Sequence, residues 1–392
     1  MSALARLAVD TGANVAPGQT VVVSAKLGQE ELARAIAAAC YDRGAHQVEV
    51  DYLDPYVQRE RLLRAADEAL GEVIPWVRER PGQMAEMRAS WIGLSGPPAP
   101  GLLDDVDPGR IGRDRSALVE WARVVDRREV TWAIVPGPTP GWARTVFGDD
   151  EPDPLAALWE KLAGVCRLHE ADPAAAWWRR STELSGTADR LTEAGLDSLR
   201  FRGPGTDLTV GLIAGARWHG GGLTSVWGRD HVPNLPTEEV FTSPDRERAE
   251  GTVAATKPLL VSGRKVEGLR VRFAGGRAVE VDADEGAGVF RELIRRDPGA
   301  DRLGEVALVD GSGRVGAAGL VFHDTLLDEN AASHIALGSG FTDLAADEAG
   351  AARVNSSGVH EDFMIGGPEV DVTGTTRDGR EVAVLVGGRW GL

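Results

Sequence analysis

The sequence predicts an α/β N-terminal domain with a largely parallel sheet, followed by an α+β C-terminal domain rich in antiparallel strands. Three observations predict it. The 392 residues exceed what one hydrophobic core usually organises. Strand and helix patterns alternate through the first half, whereas beyond residue 197 short strand patterns between glycine-rich turns take over. The boundary is therefore placed to give domains 1–197 and 198–392.

In the first domain, Pro17-Gly18-Gln19 makes a turn before the apolar run Thr20 to Val23. From Glu30 to Asp42, residues Leu32, Ala35, Ile36, Ala39 and Cys40 fall on one helical stripe, which Gly44 ends. Val48, Val50 and Tyr52 then alternate with Gln47, Glu49 and Asp51 as a strand. Trp91 to Ser95 and Val130 to Val135 are further strands, with helical stretches near Pro55 to Leu70 and Arg110 to Asp126 between them. Strands at this spacing with helical crossovers read as a parallel sheet. Helical pattern resumes over Pro154 to His169 and Pro173 to Leu196.

The second domain offers strands at Ser198 to Arg202, Asp207 to Leu212, Val253 to Leu260, Gly268 to Phe273, Ala278 to Val281, Val306 to Val309 and Glu381 to Val386. Helices are expected only at Gly288 to Arg296 and roughly Asp328 to Leu337.

Composition narrows the function classes. A formal charge of −17 argues against nucleic acid as a partner, because phosphate binding needs a basic face. The sequence has no run approaching the ~20 apolar residues of a membrane span and no basic start followed by an apolar stretch and cleavage site, so cytoplasmic residence is the expectation. Cys40 and Cys166 make no metal or redox spacing and read as small core residues. Gly220-Gly221-Gly222 lacks the lysine and serine of a phosphate loop, and the chain has no G-x-S-x-G elbow to activate Ser356 or Ser357.

The sharpest chemical signal is His360-Glu361-Asp362. Residues two apart on an extended segment share a face, so His360 and Asp362 can reach one ion while Glu361 points away. Imidazole with carboxylate suits zinc, iron, cobalt or manganese. A solvated turn carries such triplets too, and His334, placed in the interior of the expected 328–337 helix, is the feature that strengthens the metal reading. Among sixty acidic residues, pattern singles out none. Glu239 follows the rigid turn 233–237 and Glu305 begins the apolar run to Val309, positions from which a side chain can be aimed into a cleft.

The motifs resemble those of the thermophilic aminopeptidase T family of metallo-aminopeptidases. The matching segments are GPGTDLTVGL at 203–212, NLPTEEVFTSPDRERAEG at 234–251, LGEVAL at 303–308, LLDENAASHIALGSGF at 326–341 and NSSGVHEDFMIG at 355–366. N-terminal NVAPGQTVVV and PTPGWA extend the likeness over nearly the whole chain. The resemblance implies metal ligands at Glu239, Glu305, His334, His360 and Asp362, with Glu239 or Glu305 also serving catalysis. It further implies two divalent ions (zinc, cobalt or manganese), release of N-terminal residues from short peptides with a free N-terminus, a catalytic C-terminal domain and a homodimer. Where the family has a tyrosine seven residues after the first histidine, this chain has Phe341. Two alternatives attach to the same resemblance: a mononuclear iron dioxygenase that opens hydroxylated pyridine rings, using His334, His360 and Asp362, and a binding protein that keeps the fold without turnover.

Overall fold

Cap-proline pairs start several helices in the first half. Asp54, Asp107, Thr139 and Asp153 each accept a hydrogen bond from a backbone N–H of the first turn, with Pro55, Pro108, Pro140 and Pro154 supplying a pre-set φ at the first helical position. The structure, a computed structural model, describes residues 1–97, 99–114, 121, 123–125 and 127–392. Of the expected Arg110 to Asp126 helix, a helix Pro108–Arg113 is seen, and most of the remainder lies outside the described residues.

Strands β1 (Thr20–Lys26), β2 (Gln47–Leu53), β3 (Ser90–Ser95) and β4 (Thr131–Pro136) form a parallel sheet in the order β2-β1-β3-β4. Val21, Val22 and Val23 of β1 are all buried, as a strand covered on both faces requires. Edge strand β2 instead alternates between exposed and half-buried positions along its first half. Cys40 and Cys166 are buried free thiols, each pushed up to about 12 by burial.

Two compact units make up the chain: Met1–Thr182 with Gly222–Thr237, and Glu183–Gly221 with Glu238–Leu392. The sequence reading divides the chain once, near 197, whereas the chain leaves the first unit within the helix Pro173–Glu193 and returns to it for Gly222–Thr237. That return has a hydrogen-bonding reason. Hairpin β7 (Leu223–Thr224) and β8 (Asp230–His231) leads into a segment where Ile134 N–H donates to Pro233 O (2.7 Å) and Leu235 N–H donates to Ile134 O (3.1 Å), extending the parallel sheet beyond β4.

The second unit holds two antiparallel sheets. The larger comprises β5 (Leu196–Gly203), β6 (Thr206–Leu212), β10 (Pro244–Ala254), β13 (Arg270–Ala274), β14 (Arg277–Asp282), β18 (Asp371–Thr376), β19 (Glu381–Val386) and β20 (Arg389–Trp390). Its order is β14-β13-β10-β6-β5-β18-β19-β20. The small hairpin β11 (Leu259–Val261) and β12 (Arg264–Val266) stands apart from it. The second sheet orders β17 (His360–Met364), β16 (His334–Gly338), β15 (Leu303–Val309) and β9 (Glu239–Thr242) side by side.

Two expectations need correcting. Residues 334–338 form strand β16, not the end of a helix; only Thr325–Asp328 and a 3-10 turn Glu329–Ala331 are helical. The alanine-rich run has helix propensity, but β16 is flanked by β15 and β17 and all five of its residues are buried, so ladder hydrogen bonds and burial override the local preference. The strand expected from Val253 begins at Pro244, where a first-position proline removes no ladder donor, and a bulge between Pro244 and Ala249 hides the alternation.

Strand alternation gives the four-stranded sheet two chemically different faces. Val240, Val306, Leu308, Ile335, Leu337 and Phe363 point into the core, which they share with Leu199, Phe201, Leu208 and Val210 of the larger sheet. Burying each such side chain contributes about 1.5–3 kcal/mol. That anchored face leaves the other one free to carry polar groups.

Candidate metal centre

The opposite face gathers all five expected residues, one or two from each strand. In register, Asp362 lies beside Ala336 and Ala336 beside Glu305. His334 lies beside Ala307, His360 beside Gly338, and Glu239 beside Val309. Ala307, Ala336 and Gly338 are small, which leaves room above the sheet for the longer side chains. Glu361 pairs with core residue Leu337 and so belongs to the other face, as alternation requires.

Two groups of ligating atoms result, Glu239–Glu305–His334 and Glu305–His360–Asp362, the atoms of each group lying within 4.8 Å of one another. Glu305 is common to both. His334 Nε2 lies 3.1 Å from Glu239 Oε2, and His360 Nε2 lies 3.1 Å from Glu305 Oε2. Each imidazole is turned by its other nitrogen: His334 Nδ1 meets Ala332 O at 3.3 Å and His360 Nδ1 meets Ser339 O at 2.9 Å. A carbonyl only accepts, so Nδ1 carries a proton, and Nε2, once it has given up its own, turns a lone pair to the cluster.

The electrostatics fit a cation. Asp362 Oδ1 is buried without a hydrogen-bond partner, and His360 Nε2 at 3.6 Å stands beyond hydrogen-bond reach. Burial pushes the Glu305 carboxyl up, aided by the charges of Asp362 and Glu239 against the hydrogen bond from His360. Burial alone would lower the His334 imidazole, but the Glu239 hydrogen bond and the surrounding carboxylates carry it up to about 9. At His360 the charge of Asp362 and the hydrogen bond to Glu305 outweigh burial and carry it up to about 10. Clustered buried acids of this kind are costly unless positive charge sits among them, and the donor set of two imidazoles and three carboxylates suits a borderline divalent ion.

Sequence reasoning missed Glu329. Its carboxyl is pushed well above the usual range, first by burial and then by the charges of Asp362, Glu239 and Glu305, so it adjoins the cluster without belonging to either ligand group. Neighbouring Asn330 fixes this turn, its Oδ1 accepting the Glu238 N–H at 2.6 Å and its Nδ2 donating to Leu326 O at 2.8 Å. Reading 328–337 as continuous helix concealed this; a break after Asn330 would have brought Glu329 to notice.

Gly338 lets His360 approach. Its φ is +106°, and a Cβ there would stand 2.0 Å from Val359 O, next to the residue paired with Gly338. Gly338→Ala is expected to destabilise the fold by at least about 1–3 kcal/mol and to lower metal content, because β17 has to shift. Denaturant unfolding and elemental analysis of the variant check both effects, and native values for both would contradict the argument.

Comparisons with known proteins agree with this chemistry. The family described as Thermophilic metalloprotease (M29) matches residues 1–390. Aminopeptidase T from Thermus aquaticus is 40% identical over 400 residues, covering 100% of this chain and 98% of that protein. The solved structure of wild-type AmpT from Thermus thermophilus superposes with a TM-score of 0.90 at 40% identity, covering 100% of this chain and 98% of that one. A 2,5-dihydroxypyridine dioxygenase from Pseudomonas putida KT2440 matches with a TM-score of 0.52 at 11% identity over 99% of this chain and 96% of the other, a likeness of fold alone. The full-length match, together with the cluster of acids and imidazoles, places this chain in the thermophilic metalloprotease (M29) family, as a metal-dependent hydrolase of peptide bonds.

Proposed function

We propose that the protein is an aminopeptidase that releases N-terminal residues from short peptides, with two divalent ions held by Glu239, Glu305, His334, His360 and Asp362. The observation that supports this reading is the sharing of Glu305 between two groups of three candidate ligands. Glu239 and His334 would hold one ion, His360 and Asp362 the other, and Glu305 would bridge them. Zinc, cobalt and manganese suit these donors. When bound, such ions lower the pKa of a water and polarise a carbonyl.

The protein's own groups do the rest. The Ala332 and Ser339 carbonyls keep both imidazoles oriented, and the sheet holds the carboxylates at fixed spacing. Glu239 or Glu305 would take the proton of the attacking water, with Glu329 as a third acid beside the cluster. A free α-amine at this acidic face, close to the scissile bond, explains why cleavage starts at the N-terminus. Homodimer assembly and cytoplasmic residence belong to the same reading; among the described residues, no helix is long and apolar enough to cross a membrane.

A mononuclear iron centre would need only His334, His360 and Asp362 of the five ligands and leaves Glu239 and Glu305 unexplained. A binding protein without turnover would differ by weak metal affinity. The deciding experiment is His360→Ala and Asp362→Ala, each expected to abolish chelator-sensitive release of amino acids from dipeptides while circular dichroism stays native. Full activity in either variant with unchanged metal content would remove the ligand assignment.

Phe341 gives a further expectation. Its ring centroid is 5.8 Å from that of His360, so Phe341→Tyr brings a phenol to the edge of the centre. The rate or the metal content is expected to change. If kcat and metal stoichiometry both stay the same, the missing oxygen has no role.

A further inference from the structure

The two imidazoles of the centre are turned by carbonyls of different origin. Ala332 O, which meets His334 Nδ1, belongs to the stretch that runs directly into β16. Ser339 O, which meets His360 Nδ1, lies past the end of β16, and its place is set by segment 355–359 ahead of β17. Ser339 N–H donates to Val359 O at 2.6 Å, and Gly340 N–H donates to Asn355 O at 3.0 Å. The buried Asn355 amide adds cross-ties, its Nδ2 donating to Gly338 O at 2.5 Å and to Gly299 O at 2.7 Å, with Arg302 O at 3.4 Å. One side chain thus joins the approach to β15, the exit of β16 and the entry of β17.

A second side chain anchors the same segment. Asp297 Oδ2 accepts from Ser357 Oγ at 2.8 Å and from Gly358 N–H at 2.9 Å, while its Oδ1 accepts from Gly299 N–H at 2.9 Å. Ser357 Oγ in turn accepts the Val359 N–H at 3.0 Å, which carries the anchoring to the residue next to His360. Neither Asn355 nor Asp297 belongs to a ligand group, so both act through what they hold. The clasp matters more to one half of the centre than to the other. Strand β15 is paired along both edges by β16 and β9, whereas β17 ends the sheet and has β16 on one side only. Removing the Asn355 amide strips a buried donor from the Gly338 and Gly299 carbonyls, and the strain falls on turn 338–340 and the start of β17.

We propose that Asn355, backed by Asp297 and Ser357, is the positioning residue for the His360–Asp362 half of the centre and sets the metal affinity of that half alone. The inference rests on the two-ion reading and adds how one of its sites is held in shape. Groups that orient a ligating histidine are worth about 10–100-fold in metal affinity.

The test uses the full-length protein, stripped by chelator and titrated with cobalt ion by calorimetry and visible absorption. Asn355→Ala is expected to weaken one of two cobalt sites by about 10–100-fold and to leave the other within about twofold. Asp362→Ala identifies the site, because adding Asn355→Ala to it should leave the affinity for the remaining ion unchanged. Ser357→Ala should weaken the same site by a smaller factor, and Ser357→Thr, which keeps the hydroxyl, should restore it. If Asn355→Ala does not fold, the two Ser357 variants carry the comparison. A second readout needs no metal: NMR of the histidine ring N–H protons in chelated protein, assigned with His334→Ala and His360→Ala. The His360 Nδ1–H signal, sheltered by Ser339 O, should be lost to exchange in the Asn355 or Ser357 alanine variant while that of His334 persists. Equal weakening of both sites, or unchanged affinities and an unchanged His360 signal in folded variants, overturns the proposal. A wild-type protein that binds one ion or none sinks the two-ion reading alone, because the histidine signals still judge the clasp: selective loss of the His360 signal supports it, and loss of neither or of both refutes it.

Discussion

Glu305→Gln is expected to impair both proposed ion sites at once and to lower peptide hydrolysis by about 10²–10³-fold, the scale seen when a key charge-stabilising group is removed from a reacting centre. Glutamine keeps the size of the side chain, and Glu305 sits in a strand whose seven residues are all buried and paired on both edges, so the sheet should persist. What changes is charge and donor capacity at the one residue common to both ligand groups. Asp362→Ala provides the contrast, since Asp362 belongs to one group only. Elemental analysis should find Glu305→Gln depleted of both ions and Asp362→Ala depleted chiefly of one. Two tightly held ions and an unaltered rate in Glu305→Gln would remove the bridging role and with it the two-ion reading.

Metal affinity is expected to rise steeply with pH, and the stability of chelated protein to fall over the same interval. In the absence of an ion the His334 imidazole is carried up to about 9 and that of His360 up to about 10, so near neutral pH both carry protons that an incoming ion has to displace. Each displaced proton contributes up to about a tenfold gain in affinity per pH unit until its pKa is passed. The stability sign follows from the same shifts. A histidine whose pKa is higher folded than unfolded contributes stability that is fully present below the unfolded value near 6.5 and is lost as pH rises through about 9 and 10. Glu361, which burial pushes up to about 8, acts in the same direction because its folded form keeps a proton that the unfolded form has released. Chelated protein should therefore melt at progressively lower temperature from about pH 6.5 upward, and more steeply than the metal-loaded protein, in which only the Glu361 contribution remains. Calorimetry in buffers of different ionisation heat counts the released protons directly. Affinity independent of pH between 6.5 and 9 would contradict the coupling.

The sequence determined those features that depend on neighbours a few residues apart. The alternating strand and helix patterns of the first half specify its parallel sheet, and the cap-proline pairs fix where helices start. Alternation also placed His360 and Asp362 on one face and Glu361 on the other, since period two is a property of any extended segment. Family motifs, more than pattern, pointed to Glu239 and Glu305, because an acid at a strand end looks locally like many surface acids. Tertiary structure decided what depends on partners distant in the chain. Strand β16 is a strand because β15 and β17 flank it, although its alanines suit a helix. Glu329 joins the centre only once that sheet has formed, and Gly222–Thr237 joins the first unit through hydrogen bonds to Ile134, roughly a hundred residues earlier. Side-chain chemistry and local periodicity are written in the sequence, whereas burial, pairing and the convergence of charges arise only from contacts the folded chain makes at long range.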